Sequence, residues 1–282
     1  MAPMHCLRNR SSRGLFLTVL VLCLLIPGVN RAEEKAVPVL IYHQVLPAPD
    51  KPGEAVISLE KFKEQMRYLS EHGYTTIPVA ELVAFMKGGE APDKSVVLTF
   101  DDGWKSMKDV IPVLKEHRFK ASLWIFPGTG MGYPHFDWPE ILEIAKDPDF
   151  EIGAHSMTHP WDGESLATWA QEKTRGRTIE DASYELRESK RILEERLQRK
   201  VPYFAWPMGE YNDDLVKMAK DAGYDAALTV EEGPNRQGDD VFKIKRILID
   251  GACDLEMFAQ TLQDFRHHFC QTRKPIVSSG RQ

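Results

Sequence analysis

The segment Ser95–Lys105 has the sequence SVVLTFDDGWK, and it decides how the rest of the chain is interpreted. Its first part, Val96–Phe100, is a short run of β-branched and apolar residues, the pattern of a strand buried on both faces. The run ends at Asp101, Asp102 and Gly103. Because active sites of α/β proteins gather at the carboxyl ends of buried strands, the two carboxylates are candidate catalytic groups. The alternative is an Asp-Gly turn that only closes the strand.

A second strand-like run, Glu151–Ala154, leads into two histidines, His155 and His159, in the segment EIGAHSMTHP. This spacing places both imidazoles on one face of a helical turn, so that both can reach one ion. Such pairs are common at surfaces and in cores, and the pair alone is a weak indication. Together with Asp102, however, it would give a catalytic divalent ion three protein ligands and leave one position for water.

Asp101 lies beside the predicted ligands and is not needed as one. A bound divalent ion lowers the pKa of its water toward neutrality. We therefore expect Asp101 to accept the proton of that water as general base. Zinc is the expected ion, and other first-row divalent ions would also fit. We expect these side chains to line a cleft and not the core, so that substituting them should change stability little.

Strand-like runs alternate with helix-like segments from Val37 to Phe269. The first run, Pro38–Tyr42, ends at His43, and a long amphipathic helix is predicted over Thr178–Gln198. Repeated strand–helix units with short connections predict one α/β domain with a parallel sheet, closed or nearly closed into a distorted (β/α) barrel.

The N-terminal segment has a different composition. Three arginines in residues 1–14 precede the apolar run Leu15–Ile26, followed by Pro27 and Gly28, which is typical of a secretory signal peptide. Twelve apolar residues are few for a membrane span, but no clean cleavage site precedes Ala32. Residues 1–32 are therefore predicted to be a signal peptide or an N-terminal anchor, and residues 33–282 the domain. The predicted location is periplasmic or extracellular, with any membrane attachment through the N-terminal segment only.

Charge and cysteine content narrow the choice of partners. Four of the 36 basic residues lie in residues 1–32, which leaves 32 against 42 acidic residues, a net charge of about −10. Such a surface does not favour nucleic acid or anionic membrane. Cys253 and Cys270 could form one disulfide after export, and their spacing predicts no cysteine metal site. A monomer is expected.

The two motifs, TFDDG at Thr99–Gly103 and HSMTH at His155–His159, resemble those of the polysaccharide deacetylase (NodB-homology) family of carbohydrate esterases. The resemblance covers most of residues 37–249. It implies a distorted (β/α)7 barrel and metal-dependent hydrolysis of N-acetyl groups on a polymeric sugar. It also implies that Asp101 is the base and that the metal is held by Asp102, His155 and His159.

Two departures from the family pattern are informative. Members commonly carry an Arg-x-Pro-Tyr-Gly segment whose arginine orients the base, whereas Ala205–Asn212 reads AWPMGEYN. Many members also carry a Leu-x-His whose histidine is the general acid, whereas the matching strand, Arg246–Asp250, reads RILID. Both departures, together with His43 after the first strand, make the chain similar to the subgroup that deacetylates poly-β-1,6-N-acetylglucosamine during export of biofilm matrix. His43 is thus the candidate acid, and the alternative is an ordinary strand-end histidine.

The resemblance also suggests a substrate pocket. The backbone N–H of Met208, after Pro207, takes the position of the amide that stabilises the oxyanion in the family. Trp206, Trp138 and Trp161 could each offer a flat face to a sugar ring, and core packing is at least as plausible for each. Arg246 and Asp250 are interpreted as a structural pair.

The predicted function is metal-dependent removal of N-acetyl groups from an exported β-linked N-acetylhexosamine polysaccharide. Peptidoglycan and chitin-type substrates stay open within this chemistry. A glycoside hydrolase that uses Asp101 and a second carboxylate would need no metal, and it would leave the histidine pair without a purpose. A third possibility is a carbohydrate-binding barrel that has lost turnover, and the missing motif arginine is the main argument for it.

Overall fold

The computed structural model describes residues 35–128, 134–160, 163–171 and 176–268. In these ranges the strands are β1 Val39–Tyr42, β2 Gln44–Leu46, β3 Val56–Ser58, β4 Thr75–Thr76, β5 Ser95–Phe100, β6 Ala121–Ile125, β7 Phe150–Ala154, β8 Tyr203–Ala205, β9 Ala226–Leu228 and β10 Ile247–Leu248. The helices are α1 Leu59–Glu71, α2 Val79–Met86, α3 Met107–His117, α4 Trp138–Ile144, α5 Leu166–Ala170, α6 Ile179–Leu197, α7 Asp213–Asp221 and α8 Leu255–Asp264. A 3-10 turn at Pro207–Gly209 follows β8.

Seven parallel strands form one sheet in the order β10-β1-β5-β6-β7-β8-β9, and the short β4 pairs with the start of β5. The two ends of this sheet approach each other through the chain that precedes β10. Ile244 forms a parallel bridge with Leu228 of β9, and three residues later Ile247 pairs with Leu40 of β1. The sheet therefore curls into a barrel-like shape, and the predicted distorted (β/α)7-type barrel is confirmed.

The apolar residues of Ile244–Ile249 predict one continuous strand, whereas the structure shows β10 as only Ile247–Leu248. The difference arises because this segment changes its neighbour along its length. Ile244 hydrogen-bonds to β9, and the residues from Ile247 onward hydrogen-bond to β1. Hydrophobic pattern alone does not report such a change of partner.

Side chains of each strand alternate between the helices outside the barrel and the barrel interior. In β5, Leu98 and Phe100 pack in the outer core, whereas Val97 belongs to the inner cluster with Trp124 of β6 and Leu228 of β9. The alternation continues past Val97 through Thr99 to Asp101. Asp101 thus lies at the upper, carboxyl end of the inner row of side chains.

Helix α6 covers the outside of the sheet and begins at a capping box formed by Thr178 and Asp181. The predicted helix over Thr178–Gln198 is confirmed. Its buried face contains a carboxylate, Glu185, beside the expected apolar residues. This buried charge was not anticipated from the amphipathic pattern.

Several predictions fall on residues that the structure does not describe. The signal peptide or anchor, Trp161 and Cys270 all lie outside the described ranges. The domain boundary at residue 33, the disulfide and a sugar-facing role for Trp161 therefore stay predictions. Among the described residues, no helix is both long enough and apolar enough to cross a membrane.

The contact between β6 and β7 provides a test of this fold. A Cβ atom at Gly153 would overlap the six-membered ring of Trp124, which is fully buried. Gly153→Ala should therefore lower the free energy of unfolding by about 1–3 kcal/mol, as overpacked core substitutions do. Urea unfolding measures the change. Trp124→Leu removes the ring. In that variant, Gly153→Ala should lower the free energy of unfolding much less than it does in the wild type. Equal effects of Gly153→Ala in both backgrounds would contradict the contact.

Candidate active site and metal centre

Three side chains from two strand ends meet at the top of the barrel. Asp102 follows β5, and His155 and His159 follow β7. Oδ1 of Asp102 lies 3.5 Å from Nε2 of His155 and 3.5 Å from Nε2 of His159. Two ligand atoms about 2.1 Å from a tetrahedral zinc ion are about 3.4 Å apart. The spacing of these atoms therefore matches that of ligands that share one ion.

The environment of Asp102 supports the same interpretation. Its Oδ1 is buried, and no described residue donates a hydrogen bond to it. A buried carboxylate oxygen without a partner is unfavourable unless a cation or proton compensates it. Within the described ranges, Asp102, His155 and His159 are also the one group of three or more potential ligands whose donor atoms converge. One carboxylate and two imidazoles suit zinc and other first-row divalent ions.

The two histidines do not lie on a helical turn, and that expectation was wrong. His155 directly follows β7 and is still hydrogen-bonded to the sheet, because its N–H donates to the carbonyl of Ile125. The chain then turns through left-handed conformations at Ser156 (φ 62°) and His159 (φ 51°). Asp102 is also left-handed, with φ 72°. All three residues occupy a region that is unfavourable for residues other than glycine, and such strain is typical of functional sites.

Neighbouring groups fix the orientation of the candidate ligands. Nδ1 of His155 donates to the carbonyl of Ala205 at 2.8 Å, which leaves the Nε2 lone pair facing Asp102. The indole N–H of Trp104 donates to Oδ2 of Asp102 at 3.1 Å, so that Oδ1 is the oxygen turned toward the histidines. Outer partners of this kind orient metal ligands in many proteins.

Burial also sets the charge of the histidines. It lowers the pKa of His155, although Asp101 and Asp102 oppose the shift. Burial, with the positive charge of a protonated His155 nearby, lowers the pKa of His159 to about 4. Both imidazoles are therefore neutral at pH 7, which is the state that binds a metal.

Asp101 is held by Arg246 and not by a residue of the Ala205–Asn212 segment. Nη1 of Arg246 donates to Oδ1 of Asp101 at 2.8 Å and Nη2 donates to Oδ2 at 3.0 Å. Nε of the same guanidinium donates to the carbonyl of Thr229. Burial would raise the pKa of Asp101, but Arg246, His155 and His43 outweigh it and lower that pKa to about 2. Asp101 is thus an ionised carboxylate with a fixed orientation.

This geometry corrects the predicted pairing of Arg246 with Asp250. Asp250 accepts from the backbone N–H of Ala252 and lies near His267, whereas Arg246 contacts Asp101. The interacting residues are 145 positions apart, and no local pattern connects them. One feature of the sequence could have indicated this contact. Arg246 directly precedes the two apolar residues of β10, and the fold buries this position inside the barrel.

The expectation that substituting the side chains of the site changes stability little stays a prediction, and the burial of these side chains argues against it. Asp101, Asp102, His155, His159 and Arg246 are each 9% exposed or less. Removing one partner of a buried ion pair commonly destabilises a protein by about 3–5 kcal/mol. Substitutions of Asp101 or Arg246 should therefore affect folding as well as any activity.

The remaining predicted site residues differ in their placement. His43 follows β1, the neighbour of β5, and is close enough to lower the pKa of Asp101. Its buried Nδ1 has no hydrogen-bond partner among the described residues.

Met208 is exposed, with φ 57°, directly after the buried Pro207. Trp206 is fully buried against Phe204, so of its two interpretations the structure supports core packing and not a face offered to a sugar. Trp138 is half-buried beneath the guanidinium of Arg196.

The segment that contains these residues is similar to known deacetylases. Residues 88–227 match the family model described as polysaccharide deacetylase. The poly-β-1,6-N-acetyl-D-glucosamine N-deacetylase of Escherichia coli K12 is 29% identical over 71% of this chain and 34% of its own length. The enzyme of the same name from Staphylococcus epidermidis is 25% identical over 67% of this chain and 66% of its own length.

A solved structure shares the fold. IcaB from Ammonifex degensii superposes with a TM-score of 0.67 over 81% of this chain and 96% of that one, at 24% identity. This chain spans about a third of the E. coli relative and about two thirds of the staphylococcal one. The segment matched by the family model contains Asp101, Asp102, His155 and His159. Residues 88–227 of the chain belong to the polysaccharide deacetylase family.

Proposed function

We propose that this chain hydrolyses N-acetyl groups on a β-linked N-acetylhexosamine polysaccharide, with poly-β-1,6-N-acetylglucosamine as the first candidate substrate. The observation that carries the proposal is the ionised Asp101 next to the convergent ligands Asp102, His155 and His159. The names of the E. coli and staphylococcal relatives support this choice of substrate. Peptidoglycan and chitin-type polymers are the alternatives. Export to the periplasm or exterior, predicted from residues 1–32, would bring the enzyme to such a polymer.

Each residue has a defined part in this reaction. A divalent ion, when bound by Asp102, His155 and His159, would polarise the acetamide carbonyl and acidify the attacking water. Asp101 would accept the proton of that water, because its Oδ2 lies 3.8 Å from Nε2 of His155 and therefore borders the ligand set. Arg246 keeps both oxygens of Asp101 in a fixed plane through its two N–H donors.

Two further groups complete the proposed site. The backbone N–H of Met208 would donate to the developing oxyanion, supported by its position three residues after Ala205, whose carbonyl orients His155. His43 would protonate the leaving amine. Support for His43 comes from its place directly after β1, the strand next to β5, and from its electrostatic influence on Asp101.

The other classes of function are weaker on the same observations. A glycoside hydrolase needs a second carboxylate that flanks the bond to be cleaved, and it would have no use for a buried Asp102 that faces two neutral histidines. A barrel without turnover was suggested by the missing motif arginine. Arg246 supplies an equivalent guanidinium on Asp101, which removes that argument.

The first prediction concerns substrate and metal together. The purified chain should release acetate from β-1,6-linked N-acetylglucosamine oligomers, and a chelator should abolish the release, with zinc or another divalent ion restoring it. β-1,4-linked oligomers of equal length are the matched comparison. Hydrolysis of glycosidic bonds that resists the chelator would instead identify a glycoside hydrolase.

The second prediction separates ligands from base. Asp102→Ala and His155→Ala should each lose both metal and activity, because either change leaves only two ligands. Asp101→Asn should keep the metal but lower the rate of acetate release by about 100-fold or more, as expected for loss of a general base. Metal content by elemental analysis and acetate release are measured on the same samples. A near-normal rate in Asp101→Asn would disprove its assignment as base.

The third prediction concerns Arg246. Arg246→Lys keeps a positive charge but cannot donate two parallel hydrogen bonds to Asp101. Acetate release should fall substantially while the metal content stays unchanged, because no metal ligand is altered. Arg187→Lys, at an exposed position of α6, is the control and should change neither quantity. Loss of metal in Arg246→Lys would show that Arg246 supports the ligands as well as the base.

A further inference from the structure

Glu185 connects the buried face of α6 to the loop that carries the two histidines. Only 3% of its surface is exposed. Its Oε2 accepts hydrogen bonds from the backbone N–H groups of Met157 and Thr158, both at 2.8 Å, and its Oε1 accepts from Oγ1 of Thr158 at 2.7 Å. Each hydrogen bond that Glu185 accepts from the described residues thus comes from the segment between His155 and His159.

This segment requires such support because of its backbone conformation. Ser156 and His159 on either side of the Glu185 contacts are left-handed, which is unfavourable for both residue types. The hydroxyl of Ser156 accepts from the N–H of His159 and closes the turn from within. Hydrogen bonds to a carboxylate are stronger than those between neutral groups. Glu185 therefore stabilises the conformation in which both Nε2 atoms face Asp102.

The burial of the Glu185 carboxylate is also informative. A buried carboxylate is unfavourable unless its hydrogen bonds compensate for lost hydration. The buried face of α6 that contains Glu185 also contains the apolar residues Ala182, Leu186 and Leu193. The carboxylate gains its hydrogen bonds only when the loop has the conformation that presents both histidines.

We propose that Glu185 is a positioning residue that pre-forms the metal site by holding His155 and His159 in the ligating geometry before an ion binds. The proposal rests on the proposed metal-dependent function, but it is independent of the substrate. It assigns to α6, which contributes no ligand, a direct influence on metal affinity.

The test is metal affinity, measured by competition with a chromogenic chelator on the full chain. Glu185→Leu removes each acceptor, and zinc should bind about 10–100-fold more weakly, the range seen when outer partners of metal ligands are lost. Glu185→Gln keeps one oxygen for the two backbone donors and places an N–H₂ group toward Oγ1 of Thr158. It should therefore restore most of the affinity. Glu195→Leu, at an exposed position of the same helix, is the control and should bind like the wild type.

Two further measurements distinguish positioning from a purely structural role. The absorption spectrum of bound Co²⁺ should change in Glu185→Leu, because the ligand geometry relaxes. The thermal stabilisation that added zinc produces should also shrink, since it depends on the ratio of metal concentration to Kd. Thr158→Val removes only the Oγ1 contact and should give a smaller change in zinc affinity. It tests the proposal if Glu185→Leu does not fold.

Unchanged zinc affinity and Co²⁺ spectrum in Glu185→Leu, with a lower melting temperature alone, would overturn the proposal and leave Glu185 as a structural anchor. Equal affinities of Glu185→Gln and Glu185→Leu would overturn it as well. Failure of the wild type to bind a divalent ion would refute the proposed metal site itself. That result is distinct from the other two, because they presuppose a wild type that binds.

Discussion

The buried ion pair between Arg246 and Asp101 is the interaction on which the rest of the site depends. It joins the end of β5 to the chain that precedes β10, two segments that flank β1 in the sheet. Two charges removed from water are stable only with close geometry and further hydrogen bonds. The guanidinium meets this condition by binding both oxygens of Asp101 and the carbonyl of Thr229. Arg246, which lies where the two ends of the sheet approach each other, thereby holds the carboxylate of Asp101 beside the candidate ligands.

The site as a whole is a polar layer above an apolar barrel interior. Val97, Trp124 and Leu228 fill the inner cluster below, and the charged side chains occupy the carboxyl ends of the same strands. Burial has two effects there: it lowers the pKa of both histidines, and it would raise the pKa of Asp101, which Arg246 and the nearby histidines lower. In this layer, the interactions that set the protonation states of the site residues are therefore the same interactions that stabilise their burial.

Support for the candidate metal ligands comes from residues that are not themselves candidate ligands. Trp104 directs one oxygen of Asp102, the carbonyl of Ala205 directs His155, and Glu185 holds the intervening loop. The left-handed residues at the site are tolerated because these contacts over-determine the local backbone. Such an arrangement is consistent with a site that is formed before an ion binds.

The sequence by itself determined the strand–helix alternation, the barrel class and the choice of Asp102, His155 and His159 as candidate ligands, because strand burial and motif residues are local properties. It could not determine the loop conformation at His155–His159, where sheet pairing of His155 excludes a helix. Nor could it assign Arg246, whose partner is 145 residues away. The tertiary structure decided that contact, and also the burial of Trp206 and Glu185, because each depends on which segments the curled sheet brings together.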